Sequence, residues 1–214
     1  MVASLSPAER ARAGRYRFPG DARQFSAARG WLRHVLGAEL GVDPAAVPLS
    51  EGPGKPRLSG GEGLRFNVSH ARDLALIAVA ACEVGVDVEH AADGRPGLEA
   101  VGLACSPAEA DLLHRMPPDE RAEAFIRRWT AKEAYLKGRG LGLAVPPDQV
   151  EIGPAGPDGA AAVRVAGEPG PARWWVRELR PAPGYVAAVA AKGPSGPRSG
   201  SVGDWGIRLR HVIG

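Results

Sequence analysis

The stretch at residues 125–143, FIRRWTAKEAYLKGRGLGL, constrains the fold of this chain more than any other. At about 100° per residue, Phe125, Trp129 and Leu136 make a narrow apolar stripe on a helix. Lys132 flanks that stripe on one edge; Glu133 and Lys137 flank it on the other, beside Ile126. A solvated helix carries its charges opposite its apolar face, and here only Arg127 lies well round there. Glu133 and Lys137 are one turn apart and can meet as an i,i+4 pair. That pair is either an exposed ion pair worth about 0.2–0.5 kcal/mol or a carboxylate and an ammonium held at the rim of a cleft. Helix geometry alone favours the first. The helix reads as stopping at Gly138 and running into a glycine-punctuated loop.

A chain of 214 residues, 44% apolar and 24% charged, describes an ordinary soluble protein with room for one large or two small cores. Its longest apolar run, residues 74–82, is about half the length that spans a bilayer. The N-terminus, MVASLSPAERARAG, has no apolar segment of the secretory kind. Cys82 and Cys105 stand alone without a C-x-x-C spacing, which argues against a zinc knuckle and a disulfide scaffold. These features point to the cytoplasm. A net charge of +3 is too small to name a partner. Arg10, Arg12, Arg15, Arg17, Arg23, Arg29 and Arg33 nevertheless crowd the N-terminus. That density suits a phosphate-bearing ligand or an acidic protein, and equally a solvated helix face. Lysine occurs only at positions 55, 132, 137 and 192, and three of the four fall in two short stretches, GPGKPRL and WTAKEAYLK.

Phe25, Ala28, Leu32, Val35 and Leu36 predict a helix over residues 22–40, ended by Gly37 and Gly41. Asp43-Pro44 then reads as a cap and a first-turn proline. The irregular run VPLSEGPGKPRLSGGEG leads to a short strand, FNVSH, at 66–70. Residues 74–82 predict a buried strand. Residues 84–89 alternate strictly, valines at 84, 86 and 88 with Asp87 and Glu89 between them. Ser106-Pro107-Ala108-Glu109 is a capping box with proline at the first helical position, and its short helix ends before Pro117-Pro118. Strands are expected at 149–152, 161–165, 174–179 and 185–191. Residues 193–214 read as a mobile tail, with Trp205 and Ile207 as docking points.

Asp87 and Glu89, two apart on a strand, point to one face. Oxygen ligands placed so suit a hard cation such as magnesium; a wet edge strand explains the pattern at least as well. Glu133 adds a third carboxylate if its helix packs across that strand. His70 follows Ser69 where the strand breaks, a place from which it can reach a phosphate or serve a structural bond. No G-x-S-x-G elbow is present, and adjacent Ser and His cannot form a catalytic triad. GPGKPRL offers Lys55 to an anion on a rigid turn but lacks the spacing of a nucleotide-binding phosphate loop.

The order of these stretches discriminates where each alone does not. GKP at 54–56, FNVSH at 66–70, GVDVE at 85–89, WTAKEAYLK at 129–137 with a trailing GxGL, and GYVAAVA at 184–190 follow one another. In that order they resemble the 4′-phosphopantetheinyl transferases of the surfactin-synthetase-activating (Sfp-like) type, in the branch whose helix motif reads W-x-x-K-E-A. The resemblance runs from about residue 25 to residue 191.

It implies an α+β fold, a pseudo-two-fold pair of similar α/β subdomains with the active site at their interface. Residues 1–83 would form the N-terminal subdomain and 84–192 the C-terminal one, with 193–214 outside both. It implies transfer of the phosphopantetheine arm of coenzyme A to a serine of an acyl or peptidyl carrier protein, with release of 3′,5′-ADP. Asp87, Glu89 and Glu133 would bind magnesium, or manganese in its place, together with the pyrophosphate. Lys137 would stabilise or protonate the leaving group, and Glu133 or a metal-bound water would take the serine proton. Lys55, Pro56, Ser69, His70 and Lys132 match positions that contact coenzyme A phosphates or order the site. Relatives commonly carry an arginine just before the residue matching Phe25; this chain has Gln24 there and Arg23 one position earlier, so either Arg23 substitutes or the 3′-phosphate is held differently. Phe125 and Trp129 would pack between the halves. The expected partners are coenzyme A and acidic carrier domains, with neither nucleic acid nor membrane, and the pseudo-dimer is expected to be a monomer. Two competing readings use the same residues: a non-catalytic module that binds coenzyme A or carrier proteins, and a metal-dependent phosphohydrolase.

Overall fold

The apolar run at residues 74–82 lies where two layers meet. The computed structural model of the chain describes residues 2–50, 56–60, 63–93, 98–140, 144–168, 173–193 and 202–213. Their order is α1 (Pro7–Ala13), α2 (Pro19–Leu40), β1 (Arg65–Ala71), β2 (Leu74–Ala80), β3 (Val84–His90), α3 (Leu98–Ala104), α4 (Pro107–Arg115) and α5 (Pro118–Arg139). Then come β4 (Val150–Ala155), β5 (Ala160–Val165), β6 (Trp174–Leu179), β7 (Tyr185–Lys192) and β8 (Arg208–Ile213). The strands form two antiparallel sheets, β1-β2-β8 and β3-β7-β6-β5-β4. Leu74, Leu76, Ala78 and Ala80 of β2 pack on Val84, Val86 and Val88 of β3 and on Ala187 and Val189 of β7. Ile77 and Val79, on the other face of β2, pack on Leu32 and Leu36 of α2. A strand covered on both faces needs apolar residues at every position, which is why this stretch does not alternate.

The two halves repeat one plan. Each is built on a 22-residue helix, α2 or α5, that begins at proline and ends on a left-handed glycine, Gly41 at φ 68° or Gly140 at φ 69°. Before each lies a short helix opened by the same capping box, Ser6-Pro7-Ala8-Glu9 and Ser106-Pro107-Ala108-Glu109. Both box glutamates are buried, and both accept from a buried cation on the long helix. Arg33 Nε donates to Glu9 Oε2 at 2.7 Å, and Lys132 Nζ donates to Glu109 Oε2 at 2.5 Å. Each cation also donates to carbonyls beyond its own helix, Arg33 to Pro44, Ala45 and Val47, Lys132 to Pro147. The sequence reading finds only the second box, and neither α1 nor α3. The sheets repeat as well: β8 pairs antiparallel with β2 as β3 pairs with β7.

Three expectations are corrected. Residues 202–213 are not a mobile tail: Val202–Trp205 form a 3-10 turn, Ile207 is 3% exposed in the core between the sheets, and β8 completes the first sheet. Pairing with β2 is a non-local stabilisation that the polar composition of the segment does not announce. α5 runs through Gly138 to Arg139, because Gly138 is needed inside the helix; a Cβ there would meet the Trp174 ring at 2.6 Å. Phe125 and Trp129 do not pack between the halves. They join Val101, Ala104, Cys105 and Leu113 in a cluster under α3 and α4.

Candidate active site

The site lies on the seam where β1 crosses β3. Successive odd-numbered residues of β1 face that seam and reach across it. Arg65 Nε donates to Glu83 Oε1 at 2.9 Å, Asn67 Oδ1 accepts from the Val86 amide at 2.8 Å, and Ser69 Oγ accepts from the Val88 amide at 3.3 Å. Asn67 and Ser69 thus give β3 the backbone partners that a neighbouring strand would supply. α5 lies across β3 at close range. A Cβ on Gly85 would overlap the Ala134 carbonyl and come within 2.7 Å of Gly138 Cα. Glycine at 85 therefore lets the helix press Glu133 and Lys137 against the strand.

Asp87 is the centre of the arrangement and is 2% exposed. Ser69 Oγ donates to its Oδ1 at 2.8 Å, Lys137 Nζ donates to the same oxygen, and Lys137 Nζ lies 3.0 Å from Ser69 Oγ. Asp87 Oδ2 is buried with no hydrogen-bond partner among the described residues. Burial holds the Asp87 carboxyl above its ordinary range, against the pull of Lys137 and Ser69. Glu133, half-buried one turn before Lys137, is also raised, first by burial and then by the charge of Asp87, with Lys137 opposing. Two carboxylates therefore share the seam under one ammonium, Lys137, whose charge opposes burial at both. Glu133 and Lys137 form no isolated surface pair.

Ser69 and His70 are divided by the pleat of β1. His70 points the other way, into a cavity of about 380 Å³ beneath α2. Pro56, Gln24, Phe25, Arg12 and Arg29 also line that cavity. The guanidiniums of Arg12 and Arg29 stand over the Phe25 ring at 5.0 and 5.6 Å. Burial lowers the pKa of Arg29, with Glu9 opposing. Arg23 does not replace the expected arginine at position 24: it is exposed and outside the lining, because it falls on the solvent side of α2. Arg12 and Arg29 supply the positive charge instead. The crowding of N-terminal arginines hinted at this, but only folding separates the two that face the cavity from the rest.

Lys132 is a second correction. It is 0% exposed, and its ammonium donates to Glu109 Oε2, Ala104 O at 2.8 Å and Pro147 O at 2.9 Å. Three donors meet three acceptors, which leaves no proton for a phosphate. Its chain neighbour Glu133, one residue on, turns about 100° away into the seam. Lys55 lies outside the described residues.

Among the described residues no three His, Cys, Asp or Glu side chains are gathered closely enough to hold a metal ion. The three carboxylates expected together are present as the facing pair Asp87 and Glu133. Glu89, two residues along the same face of β3, is not gathered with them. Unscreened carboxylates repel, and Lys137 takes the place beside Asp87. The donor set still fits a hard divalent cation: an orphaned buried Oδ2 and a facing carboxylate are short of positive charge, and both are oxygen ligands.

No helix among the described residues is long and apolar enough to cross a membrane. The sequence profile of the 4′-phosphopantetheinyl transferase superfamily matches residues 83–190. The 4′-phosphopantetheinyl transferase HetI of Nostoc sp. is 41% identical over 201 residues, covering 90% of this chain and 81% of that protein. The 4′-phosphopantetheinyl transferase Sfp of Bacillus subtilis is 26% identical over 199 residues, covering 92% of this chain and 86% of its own length. A solved holo-acyl-carrier-protein synthase in complex with coenzyme A aligns at a TM-score of 0.40 and 23% identity, covering 50% of this chain and 93% of that one, too loosely to add weight. With a family profile matching residues 83–190 and a relative 41% identical across nine-tenths of this chain, the chain belongs to the 4′-phosphopantetheinyl transferase superfamily and is an enzyme of its Sfp-like type.

Proposed function

We propose that the protein moves the 4′-phosphopantetheine arm of coenzyme A onto a serine of an acyl or peptidyl carrier protein and releases 3′,5′-ADP, using a divalent cation. The observation that carries this reading is Asp87, a buried carboxylate bound through one oxygen by Lys137 and Ser69, with its other oxygen unpartnered and Glu133 facing it. Arg12, Arg29 and His70 suit the phosphate-bearing nucleotide end of coenzyme A. An apolar cavity of about 650 Å³ is lined by Trp129 and Phe125, one and two turns before Glu133 on α5, and by Pro146 beyond the helix, and suits the uncharged pantetheine arm.

Asp87 and Glu133 would hold magnesium or manganese, which when bound would neutralise the pyrophosphate oxygens. The serine hydroxyl attacks the phosphorus that carries the pantetheine. An O–P bond forms to serine, the P–O bond to ADP breaks, and the serine proton passes to Glu133, the half-buried carboxylate beside Asp87. Lys137, held on Asp87 and Ser69, would neutralise the charge that develops on the departing ADP oxygen. Incubation with coenzyme A, magnesium and an apo carrier protein should add one phosphopantetheine to the carrier, read by intact mass. No gain on any of several acyl and peptidyl carrier proteins overturns the reading; full transfer in EDTA removes the cation from it.

A further inference from the structure

The hairpin joining β1 to β2 turns on Arg72-Asp73, with Ala71 paired to Leu74. Two-residue hairpin turns call for Gly, Asn or Asp where φ is positive. Arg72 sits at φ 48° and is the one described residue other than glycine with a positive φ. A conformation of that kind persists where its surroundings over-determine it. Three other elements do so here. Gln24 Nε2 on α2 donates to Arg72 O at 3.0 Å. Arg72 Nη1 lies 3.3 Å from His90 Nε2 at the end of β3. Tyr185 OH, at the start of β7, donates to the Asp73 carboxylate. The His90 ring stands edge-on to the Tyr185 ring, centroids 4.8 Å apart at 87°. Gly184, at φ 78°, leaves room for that histidine: a Cβ there would come within 3.0 Å of Nε2.

We propose that this cluster is a clasp that sets the separation of the two halves at the mouth of the active-site cleft, with Gln24, Arg72, Asp73 and Tyr185 as positioning residues for the transfer. The inference rests on the reaction proposed above. The hairpin belongs to the first sheet and carries His70 two residues before the turn. His90 and Tyr185 belong to the second sheet, and Glu89 directly precedes His90. Coenzyme A would bridge the halves, its nucleotide end against the first and its pyrophosphate against the carboxylates of the second. The spacing of the halves therefore decides whether the reacting phosphorus is in line with the serine. The clasp also accounts for glutamine at position 24: its amide is spent on the strained turn rather than on the nucleotide.

Tyr185→Phe removes only the hydroxyl, and Arg72→Gly removes the guanidinium while relieving the positive φ. Assayed well below their unfolding midpoints, both should lose turnover by about tenfold with KM for coenzyme A within about threefold, because misplacement of reacting groups costs rate before binding. Arg72→Gly should unfold at a midpoint no lower than the parent. Asp73→Asn, which keeps an acceptor oxygen, should restore turnover that Asp73→Ala loses. Independently of activity, hydrogen exchange at the Ala91 amide, which donates to Gly184 O at 2.8 Å, should quicken about tenfold in Tyr185→Phe and Arg72→Gly. The Val86 amide on the seam should not change. Unaltered turnover in both variants, equal losses in Asp73→Asn and Asp73→Ala, or unaltered Ala91 exchange would each overturn the clasp. If the parent modifies no carrier protein at all, the proposed reaction fails, and exchange at Ala91 still decides the clasp.

Discussion

At the scale of single side chains, two carboxylates respond to folding in opposite directions. Asp87 is raised by burial, so the folded state holds its proton more tightly than the unfolded chain does. Its ionisation therefore costs stability as pH climbs from the ordinary 3.8 toward the raised value, and the cost is complete above that. In metal-free protein at neutral pH, Asp87→Asn should unfold in urea at the same midpoint or a higher one while losing transfer. A lower midpoint would mean that the Lys137 ion pair outweighs burial. Asp73 is lowered by the Tyr185 hydroxyl. Its contribution is present above 3.8 and is lost as pH falls through the lowered value. Tyr185→Phe should melt earlier than the parent at neutral pH, with the two curves converging in acid; a gap that persists in acid would rule out this linkage. Residue type and spacing made Asp87, Glu133 and Lys137 readable as a chemical group. They did not separate Lys132 from Glu133, because both flank the same apolar stripe and only packing reveals which edge meets the seam.

Single elements depend on close approach and on buried charge. Gly85 is where β3 meets α5, and the atoms a side chain would strike belong to the helix backbone, which has no rotamer to change. Gly85→Ala should destabilise by about 3 kcal/mol or prevent folding, measured by urea unfolding; a loss near zero would mean the helix can lift from the strand, and transfer should then fall instead. Lys132→Met leaves Glu109 buried with Arg128, at 3.0 Å, as its cation and the Ser106 amide, at 2.9 Å, on the oxygen that Lys132 vacates. Breaking a buried pair costs roughly 3–5 kcal/mol, and the lower end fits here because Arg128 remains. The KM for coenzyme A should not change below the unfolding midpoint; a large rise would show that the ammonium reaches the nucleotide after all. The second capping box was legible as four residues in a row. The first is the same four residues and went unread, since a short helix beside an arginine-rich segment has no apolar period to draw attention to it.

Over the whole molecule, β8 occupies in the first sheet the place that β3 occupies in the second. A chain ending at residue 193 would uncover the edge of β2 and the core contact of Ile207. Burying an aliphatic side chain of that size is worth about 1.5–3 kcal/mol, and the lost ladder adds to it. Such a truncation should melt roughly 6–12 °C lower and associate through the bared edge; an unchanged midpoint would return these residues to the status of a tail. The sequence by itself determined the alternation of β3, the two-faced burial of β2, both long helices and the family, because periodicity, capping and ordered motifs are local properties of the chain. Only the tertiary structure decided that Lys132 is a buried tie, that Arg12 and Arg29 rather than Arg23 face the cavity beneath α2, and that the last strand completes the first sheet. Back on α5, it also decided that Lys137 binds Asp87 and that Glu133 is half-buried beside that charge, rather than the two forming a solvated surface pair. Each of those outcomes depends on which surfaces come together across long sequence separations, and no local pattern encodes that.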